Sequence, residues 1–147
     1  MVLSGRVVAI DWGEARIGVA VSDATRTLAT PHTTLHEKDK GLQIRRVAAL
    51  LSELEATVVL VGIPYHLDGN ASASTITAEK FAAKLATVVG IPIIRVDERL
   101  SSVAAEERLE QRGRTKARPK TDKGLVDRAA AAILLQAWLD VQPKDDR

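Results

Sequence analysis

Four acidic residues stand where the neighbouring sequence is mostly apolar. Asp11 directly follows an aliphatic run at 7–10, and Asp97 and Glu98 directly follow Ile93-Ile94-Arg95-Val96, which is apolar except for Arg95. Asp127 falls on the face of a predicted C-terminal helix that also carries apolar residues at positions 130, 131, 134 and 138. A carboxylate in such a place is costly unless protons, hydrogen bonds or metal ions compensate its charge. These acids are therefore the first candidates for a functional site.

The hydrophobic pattern predicts which elements position these acids. Continuous apolar runs predict buried strands, and apolar residues that recur every three to four positions predict helices. We expect strands at about 6–10, 16–22, 28–35, 57–62 and 91–96, and helices at about 41–54, 71–89, 101–110 and 123–141. Short turns predict that the first three strands form an antiparallel meander, and the intervening helices predict that the two later strands lie parallel. The expected fold is one α/β domain over residues 1–147, with a mixed five-stranded sheet flanked by helices.

This topology predicts where the acids meet. Parallel strands end at the same edge of a sheet, so we expect Asp11, Asp97 and Glu98 to converge there. Asp127 would face them from the last helix. Carboxylates that converge in a partly desolvated site repel one another, and divalent cations such as Mg²⁺ or Mn²⁺, which prefer carboxylate oxygens, remove that repulsion. Two such ions can activate a water and stabilise the leaving oxygen in phosphodiester hydrolysis.

Simpler interpretations exist for each acid. Asp11 could be a solvated residue that begins a hairpin turn, with Gly13 allowing the tight backbone. Asp97 and Glu98 could cap the helix predicted to follow them. Asp127 could pair with Arg128 or interact with the positive N-terminus of its own helix.

Two other segments are candidates for nucleic-acid binding. The stretch 112–123 is densely basic and has no apolar periodicity, so we expect a mobile loop that contacts phosphates. The loop at 62–70 follows the fourth strand, and its Tyr65 and His66 could stack on a base or contact a phosphate. The simpler interpretations are a solvated surface connection for the first segment and an ordinary loop with an Asp-Gly turn for the second. The basic candidates are Arg112, Arg114, Lys116, Arg118, Lys120 and Lys123.

Composition narrows the class of protein. The 147 residues are 46% hydrophobic and 27% charged, which is typical of a globular domain. The net charge of +2 gives only weak support for an anionic partner. The absence of cysteine excludes disulfides and thiolate zinc sites and favours a reducing compartment. No apolar stretch is long enough to span a membrane and no secretory signal is visible, so we expect a cytoplasmic protein without a membrane partner.

Four motifs, taken together, resemble the YqgF family, also called RuvX, whose members are described as Holliday-junction-resolvase-like proteins and candidate pre-16S rRNA nucleases. The resemblance covers almost the whole chain, and its specificity comes from the order and spacing of the motifs. They are Ala9-Ile10-Asp11-Trp12-Gly13 with Arg16-Ile17-Gly18-Val19-Ala20; Val61-Gly62-Ile63-Pro64 with Asp68-Gly69; Val96-Asp97-Glu98-Arg99-Leu100-Ser101-Ser102; and Lys123-Gly124 with Asp127, Ala130-Ala131 and Ile133-Leu134.

The resemblance implies a ribonuclease-H-like fold and a divalent-metal nuclease of the cytoplasm that matures the 5′ end of 16S rRNA. It implies that Asp11, Glu98 and Asp127 are the catalytic acids and metal ligands, with Asp97 as an adjacent ligand. One position departs from the pattern. Related junction resolvases have an acid at the end of the fourth strand, where this chain has Gly62 between two aliphatic residues. The metal site is therefore expected to be assembled differently, with Asp97 and Glu98 substituting.

Three other functions remain open at this point. A resolvase of Holliday junctions or other branched DNA is the nearest alternative, and symmetric cutting of a junction would require a homodimer rather than a monomer. A non-catalytic rRNA-binding factor would use the basic segment and leave the acids without a role. An ATPase of the actin-like class shares the Asp-x-Gly turn, but it requires two such domains around its nucleotide.

Overall fold

The computed structural model describes residues 5–99 and 123–143. Within these residues the elements follow the order β1–β2–β3–α1–β4–α2–β5–α3. Their bounds are β1 Arg6–Asp11, β2 Arg16–Ser22, β3 Ala29–His36, α1 Lys40–Glu53, β4 Ala56–Ile63, α2 Ala73–Ala86, β5 Ile93–Asp97 and α3 Lys123–Asp140. The helix predicted at 101–110 and most of the basic segment, at 112–122, lie outside the described residues.

The five strands form one mixed sheet in the order β3-β2-β1-β4-β5. β1, β2 and β3 pair antiparallel, as the short turns predict, whereas β4 lies parallel to β1 and β5 lies parallel to β4. The registers Ile10–Val61 and Gly62–Val96 bring the carboxyl ends of β1, β4 and β5 to the same edge. The predicted mixed five-stranded sheet is therefore confirmed, and so is the common edge on which the acids were expected.

Each face of the sheet carries its own apolar core. On one face, alternate residues of β1, β2 and β4 pack against α1 and α2, around side chains such as Ile10, Val47 and Phe81. On the other face, the intervening residues, including Ala9 and Leu60, pack against Leu135 of α3. Successive residues of a strand point to opposite faces. The continuous apolar runs of β1 and β4 follow from this burial on both sides.

Local hydrogen bonds explain where the helices begin. The Asp39 carboxylate accepts a hydrogen bond of 2.9 Å from the Leu42 amide at the start of α1. At the start of α2, the Ser72 hydroxyl accepts from the Thr75 amide, and the Thr75 hydroxyl accepts from the Ser72 amide. Such caps satisfy amides that have no partner within the helix. No helix in the described part of the chain is both long and apolar enough to cross a membrane.

Candidate active site

Asp11 is the last residue of β1 and lies at the sheet edge. It follows the alternation of Val7 and Ala9, which pack against α3, so its side chain belongs to the α3 face. Because Ile10 pairs with Val61, the residue beside Asp11 on β4 is Gly62. The Asp11 carboxylate therefore lies on the otherwise apolar α3 face of the sheet, next to Gly62, which has no side chain.

The Glu98 side chain occupies the space above Gly62. A Cβ atom added at Gly62 would lie 2.7 Å from Glu98 Oε2 and 3.1 Å from Leu134 Cδ1. Any larger residue at position 62 would therefore displace the Glu98 carboxylate. The departure from the resolvase pattern has a structural explanation: the room that a fourth-strand side chain would fill is taken by Glu98, which reaches across from the end of β5.

Asp11 and Glu98 form a hydrogen-bonded carboxyl pair. Burial, followed by the negative charge of Glu98, raises the pKa of Asp11 from its ordinary value of 3.8 to about 8. Burial also raises the pKa of Glu98. Two carboxylates cannot form a hydrogen bond without a proton between them. Near neutral pH the pair therefore holds a proton, in a position where a cation can replace it.

Asp127 lies in the first turns of α3, and its side chain is held by an ion pair with Arg16 of β2. The distance between Arg16 Nε and Asp127 Oδ2 is 2.6 Å. α3 approaches β2 so closely here that a Cβ added at Gly18 would collide with the Asp127 carbonyl oxygen. The Asp127 charge contributes to the raised pKa of Asp11, which places it within electrostatic reach of the pair. As predicted, Asp127 faces the sheet edge.

The alternative partner for Asp127 does not form this ion pair. Arg128 Nη1 instead donates a hydrogen bond of 3.0 Å to Thr34 Oγ1. Arg16 was missed in the sequence because the two partners are separated by 111 positions.

Asp97 bonds to Arg99 and not to the acid pair, although its negative charge contributes to the raised pKa of Glu98. Its carboxylate accepts hydrogen bonds from the guanidinium of Arg99, the shortest at 2.6 Å from Nη2. These hydrogen bonds lower the pKa of Asp97. Alternation along β5 places it with Ile93 on the face of α1 and α2, opposite Asp11. The structure thus assigns Glu98, and not Asp97, to the pair with Asp11; the metal-ligand role predicted for Asp97 stays a prediction without a contact to support it.

The loop after β4 forms the Asp-Gly turn of the simpler interpretation. The Asp68 carboxylate accepts from the backbone amide of Asn70 at 2.9 Å, and Gly69 adopts a φ of +92°. His66 is exposed, and the ring of Tyr65 lies beneath the Arg99 guanidinium, 5.6 Å from its centroid. Neither of these two side chains lines the cavity beside the acid pair.

Only one of the six basic candidates, Lys123, belongs to the described residues. Arg112, Arg114, Lys116, Arg118 and Lys120 lie outside the described residues. Lys123 is the first residue of α3, and its side chain is not described. Their predicted contact with phosphates stays a prediction.

A cavity of about 320 Å³ opens beside the acid pair. It is bounded by the β1–β2 turn, the loop after β4 and the first turns of α2. Glu14 and Thr77 belong to this lining and were not singled out in the sequence, because nothing in their local pattern places them near Asp11. The full lining is Asp11, Trp12, Gly13, Glu14, Pro64, Ala73, Ser74, Thr77 and Glu98.

One buried side chain of α1 holds the β1–β2 turn in place. Gln43 is 1% exposed, and its Nε2 lies 2.7–3.2 Å from the carbonyl oxygens of Gly13, Glu14 and Glu37. Its Oε1 accepts a hydrogen bond of 3.0 Å from Trp12 Nε1. A buried amide satisfied in this way fixes the groups it binds, so the turn that follows Asp11 is rigidly positioned.

The donor set is suited to a divalent cation. Among residues 5–99 and 123–143, no three acidic or histidine side chains are grouped as a metal site. The contacts explain this: Asp11 and Glu98 bond to each other, and Asp127 bonds to Arg16. A buried carboxyl pair that needs either a proton or a positive charge fits a hard cation with oxygen ligands.

Comparison with known protein families agrees with these features. The sequence model of RuvX, described as Holliday junction resolvase, matches residues 5–141. A candidate pre-16S rRNA nuclease of Roseiflexus sp. (strain RS-1) is 38% identical over 138 residues, covering 94% of this chain and 96% of that protein. A candidate pre-16S rRNA nuclease of Mycobacterium ulcerans (strain Agy99) is 42% identical over 137 residues, covering 92% of this chain and 79% of that protein.

Solved structures establish the fold. RuvC of T. thermophilus in complex with a Holliday junction substrate superposes with a TM-score of 0.59 at 18% identity, covering 92% of this chain and 93% of that chain. The large terminase nuclease of the thermophilic phage G20c has a TM-score of 0.55 at 15% identity, covering 90% of this chain and 81% of that chain. The ribonuclease-H-like fold implied by the sequence motifs is confirmed.

Proposed function

The chain belongs to the RuvX family, and we propose that it is a divalent-metal-dependent nuclease that hydrolyses phosphodiester bonds during 5′-end maturation of pre-16S rRNA. The observation that carries this proposal is the buried Asp11–Glu98 pair at the common end of β1, β4 and β5. A pair of this kind lowers the stability of a domain unless a ligand uses it. A binding or catalytic role accounts for its presence beside an open cavity.

Each residue of the site has a separate role in the proposed reaction. Asp11 and Glu98 would hold the cation, and the proton they share leaves as the cation enters. The bound cation supplies charge stabilisation and an activated water for hydrolysis. Asp127 adds negative charge to the same edge, while Arg16 fixes its orientation. Gln43 keeps the β1–β2 turn, and with it one wall of the cavity, in a single position.

Pre-16S rRNA is the favoured substrate because relatives that are 36–42% identical over most of the chain carry that description. A Holliday junction is the second candidate, since the matching family is described as a resolvase. The first assignment is compatible with a monomer, whereas symmetric junction cutting requires a homodimer. A cytoplasmic location, where pre-rRNA is processed in bacteria, is part of the same proposal.

The basic segment complements this site. We place phosphate binding on Arg112, Arg114, Lys116, Arg118, Lys120 and Lys123. Lys123, the last of them, is the first residue of α3, the helix that carries Asp127. Affinity for nucleic acid should then fall steeply with salt, because each phosphate contact releases a counterion.

The test compares two labelled substrates side by side. A 16S rRNA precursor with an extended 5′ end and a four-way DNA junction are incubated with the protein in Mg²⁺, in Mn²⁺ and in chelator. We expect metal-dependent shortening of the RNA, and loss of that activity in Asp11→Asn. The control is Asp39→Asn, because asparagine caps a helix as well as aspartate does. Junction cleavage without RNA cleavage would transfer the assignment to the second substrate. Equal RNA cleavage by Asp11→Asn and the parent would contradict the nuclease proposal.

A further inference from the structure

A second cavity of about 360 Å³ lies between α1 and α2 and adjoins the active-site cavity. The two cavities share Trp12 and Thr77 in their linings. The two cavities are therefore adjacent, and the second begins at the residue next to Asp11. Its volume falls in the range of about 300–1,000 Å³ that small-ligand sites occupy.

The floor of this cavity, which we call the α1–α2 groove, is aromatic and aliphatic. The Trp12 and Phe81 rings are 6.2 Å apart between centroids and inclined at 36°. Ile44 of α1 adds an aliphatic surface beside them. The hydrogen bond from Trp12 Nε1 to Gln43 fixes the indole. Phe81 and Ile44 are buried beneath the indole, so the half-buried ring of Trp12, already held in place, is the surface on which a planar ring could stack.

The rim of the groove is positively charged. Lys40 lies at the first position of α1, and Lys80 and Lys84 are one turn apart on the same side of α2. All three are exposed, and none of the described residues that line the groove is acidic. A cationic rim over an aromatic floor is how proteins bind single-stranded nucleic acid without reading its sequence: the bases stack and the phosphates meet the cations.

We propose that the α1–α2 groove binds a single-stranded nucleotide of the substrate next to the phosphodiester that is cut at Asp11 and Glu98. A base would stack on the half-buried ring of Trp12, which the buried Phe81 supports from below, and the flanking phosphates would contact Lys40, Lys80 and Lys84. This inference rests on the proposed nuclease function, because it takes the groove's occupant to be a continuation of the strand in the active-site cavity. It predicts that cleavage favours substrates with an unpaired strand beside the cut.

Binding is tested separately from cleavage. The probe is a fluorescein-labelled oligouridylate of about 12 nucleotides, within the site sizes of single-strand-binding grooves, measured by anisotropy in chelator. Trp138→Phe leaves Trp12 as the only tryptophan, and Trp138 belongs to the opposite face of the sheet. In that background, unlabelled oligouridylate should quench the remaining tryptophan fluorescence. Anisotropy with both tryptophans present provides the same test if the Phe variant folds poorly.

The variant Lys80→Ala/Lys84→Ala should weaken oligouridylate binding roughly tenfold and reduce the slope of log affinity against log salt by about 1.4, the value for two single-strand phosphates. The control is Arg6→Ala/Arg45→Ala, which removes the same charge from exposed positions outside the groove. It should retain the quenching and lose much less affinity. Equal losses in the two variants, or no quenching of Trp12, would overturn the proposal.

Cleavage separates this proposal from the one on which it rests. Metal-dependent cleavage with unchanged KM in Lys80→Ala/Lys84→Ala would overturn the groove assignment and leave the nuclease intact. Conversely, quenching and lysine-dependent binding by a parent protein that cleaves neither RNA nor junction would support the groove as a nucleic-acid site and overturn the nuclease function.

Discussion

Neutralising Asp11 should make the metal-free protein more stable while it removes cleavage. In the unfolded chain the carboxyl of Asp11 ionises near 3.8, whereas in the folded protein burial and Glu98 keep it protonated up to about pH 8. Between these two values the folded state binds more protons than the unfolded state. The free energy of unfolding therefore falls as the pH rises from about 4 to 8, and it levels off above that range.

The size of this effect follows from the pKa of Asp11. Each pH unit above 3.8 costs about 1.4 kcal/mol, so at pH 7 the upper limit is ~4 kcal/mol. Glu98 is coupled to Asp11 and shares the penalty, which reduces the gain from a single substitution. In Asp11→Asn the new amide can donate a hydrogen bond to the Glu98 carboxylate in place of the shared proton. We expect Asp11→Asn to raise the free energy of unfolding at pH 7 by roughly 1–3 kcal/mol.

The assay is thermal and urea unfolding of parent and Asp11→Asn in chelator, at several pH values between about 4 and 8. The gain should be small at the acid end and largest near pH 8, and at neutral pH it should raise Tm by several degrees for a chain of this size. Mg²⁺ or Mn²⁺ should stabilise the parent more than the variant, because only the parent retains both carboxylates. Asp39→Asn should match the parent both in its stability at each pH and in its stabilisation by the metal ion. A variant less stable than the parent at pH 8, or a difference independent of pH, would refute the reasoning.

Two other substitutions test the geometry of the site. Gly62→Ala should destabilise the protein by about 1–3 kcal/mol and reduce cleavage, since the new methyl group meets Glu98 Oε2 and Leu134; wild-type activity and Tm would contradict the observed packing. Asp97→Asn should keep metal-dependent cleavage whereas Glu98→Gln should lose it, because only Glu98 pairs with Asp11; the reverse result in a cleavage assay would assign the metal to Asp97.

Much of the fold could be predicted because its central strands, β1, β2 and β4, are buried on both faces. A short, continuous apolar run such as that of β4 indicates a buried strand. The lengths of the turns then determine which neighbouring strands are antiparallel. The element ends were less predictable. α2 begins at Ala73, two residues later than expected, because Ser72 caps it, and it ends at Ala86, three residues earlier than expected. Caps depend on individual hydrogen bonds that the apolar periodicity does not contain.

The site was predictable in its position and less so in its contacts. That Asp11 and the residues after β5 share an edge follows from topology alone. Which of Asp97 and Glu98 faces Asp11 does not follow from topology, because β5 has apolar residues on both of its faces and its sequence therefore does not show which face a given residue occupies. The ion pair between Arg16 and Asp127 was equally hidden, since it joins the start of β2 to α3 and depends on the packing of that helix.

Gly62 shows how a single position can be given the wrong role. In the sequence it looks like the residue that closes the fourth strand, but β4 continues through Ile63. Its actual role is to leave room at the edge: a side chain at position 62 and the carboxylate of Glu98 exclude each other. A side chain at position 62 would thus force the Glu98 carboxylate out of its present position, in which the residue after the fifth strand supplies the second carboxylate of the site. The missing fourth-strand acid and the presence of Glu98 are therefore one feature of the site.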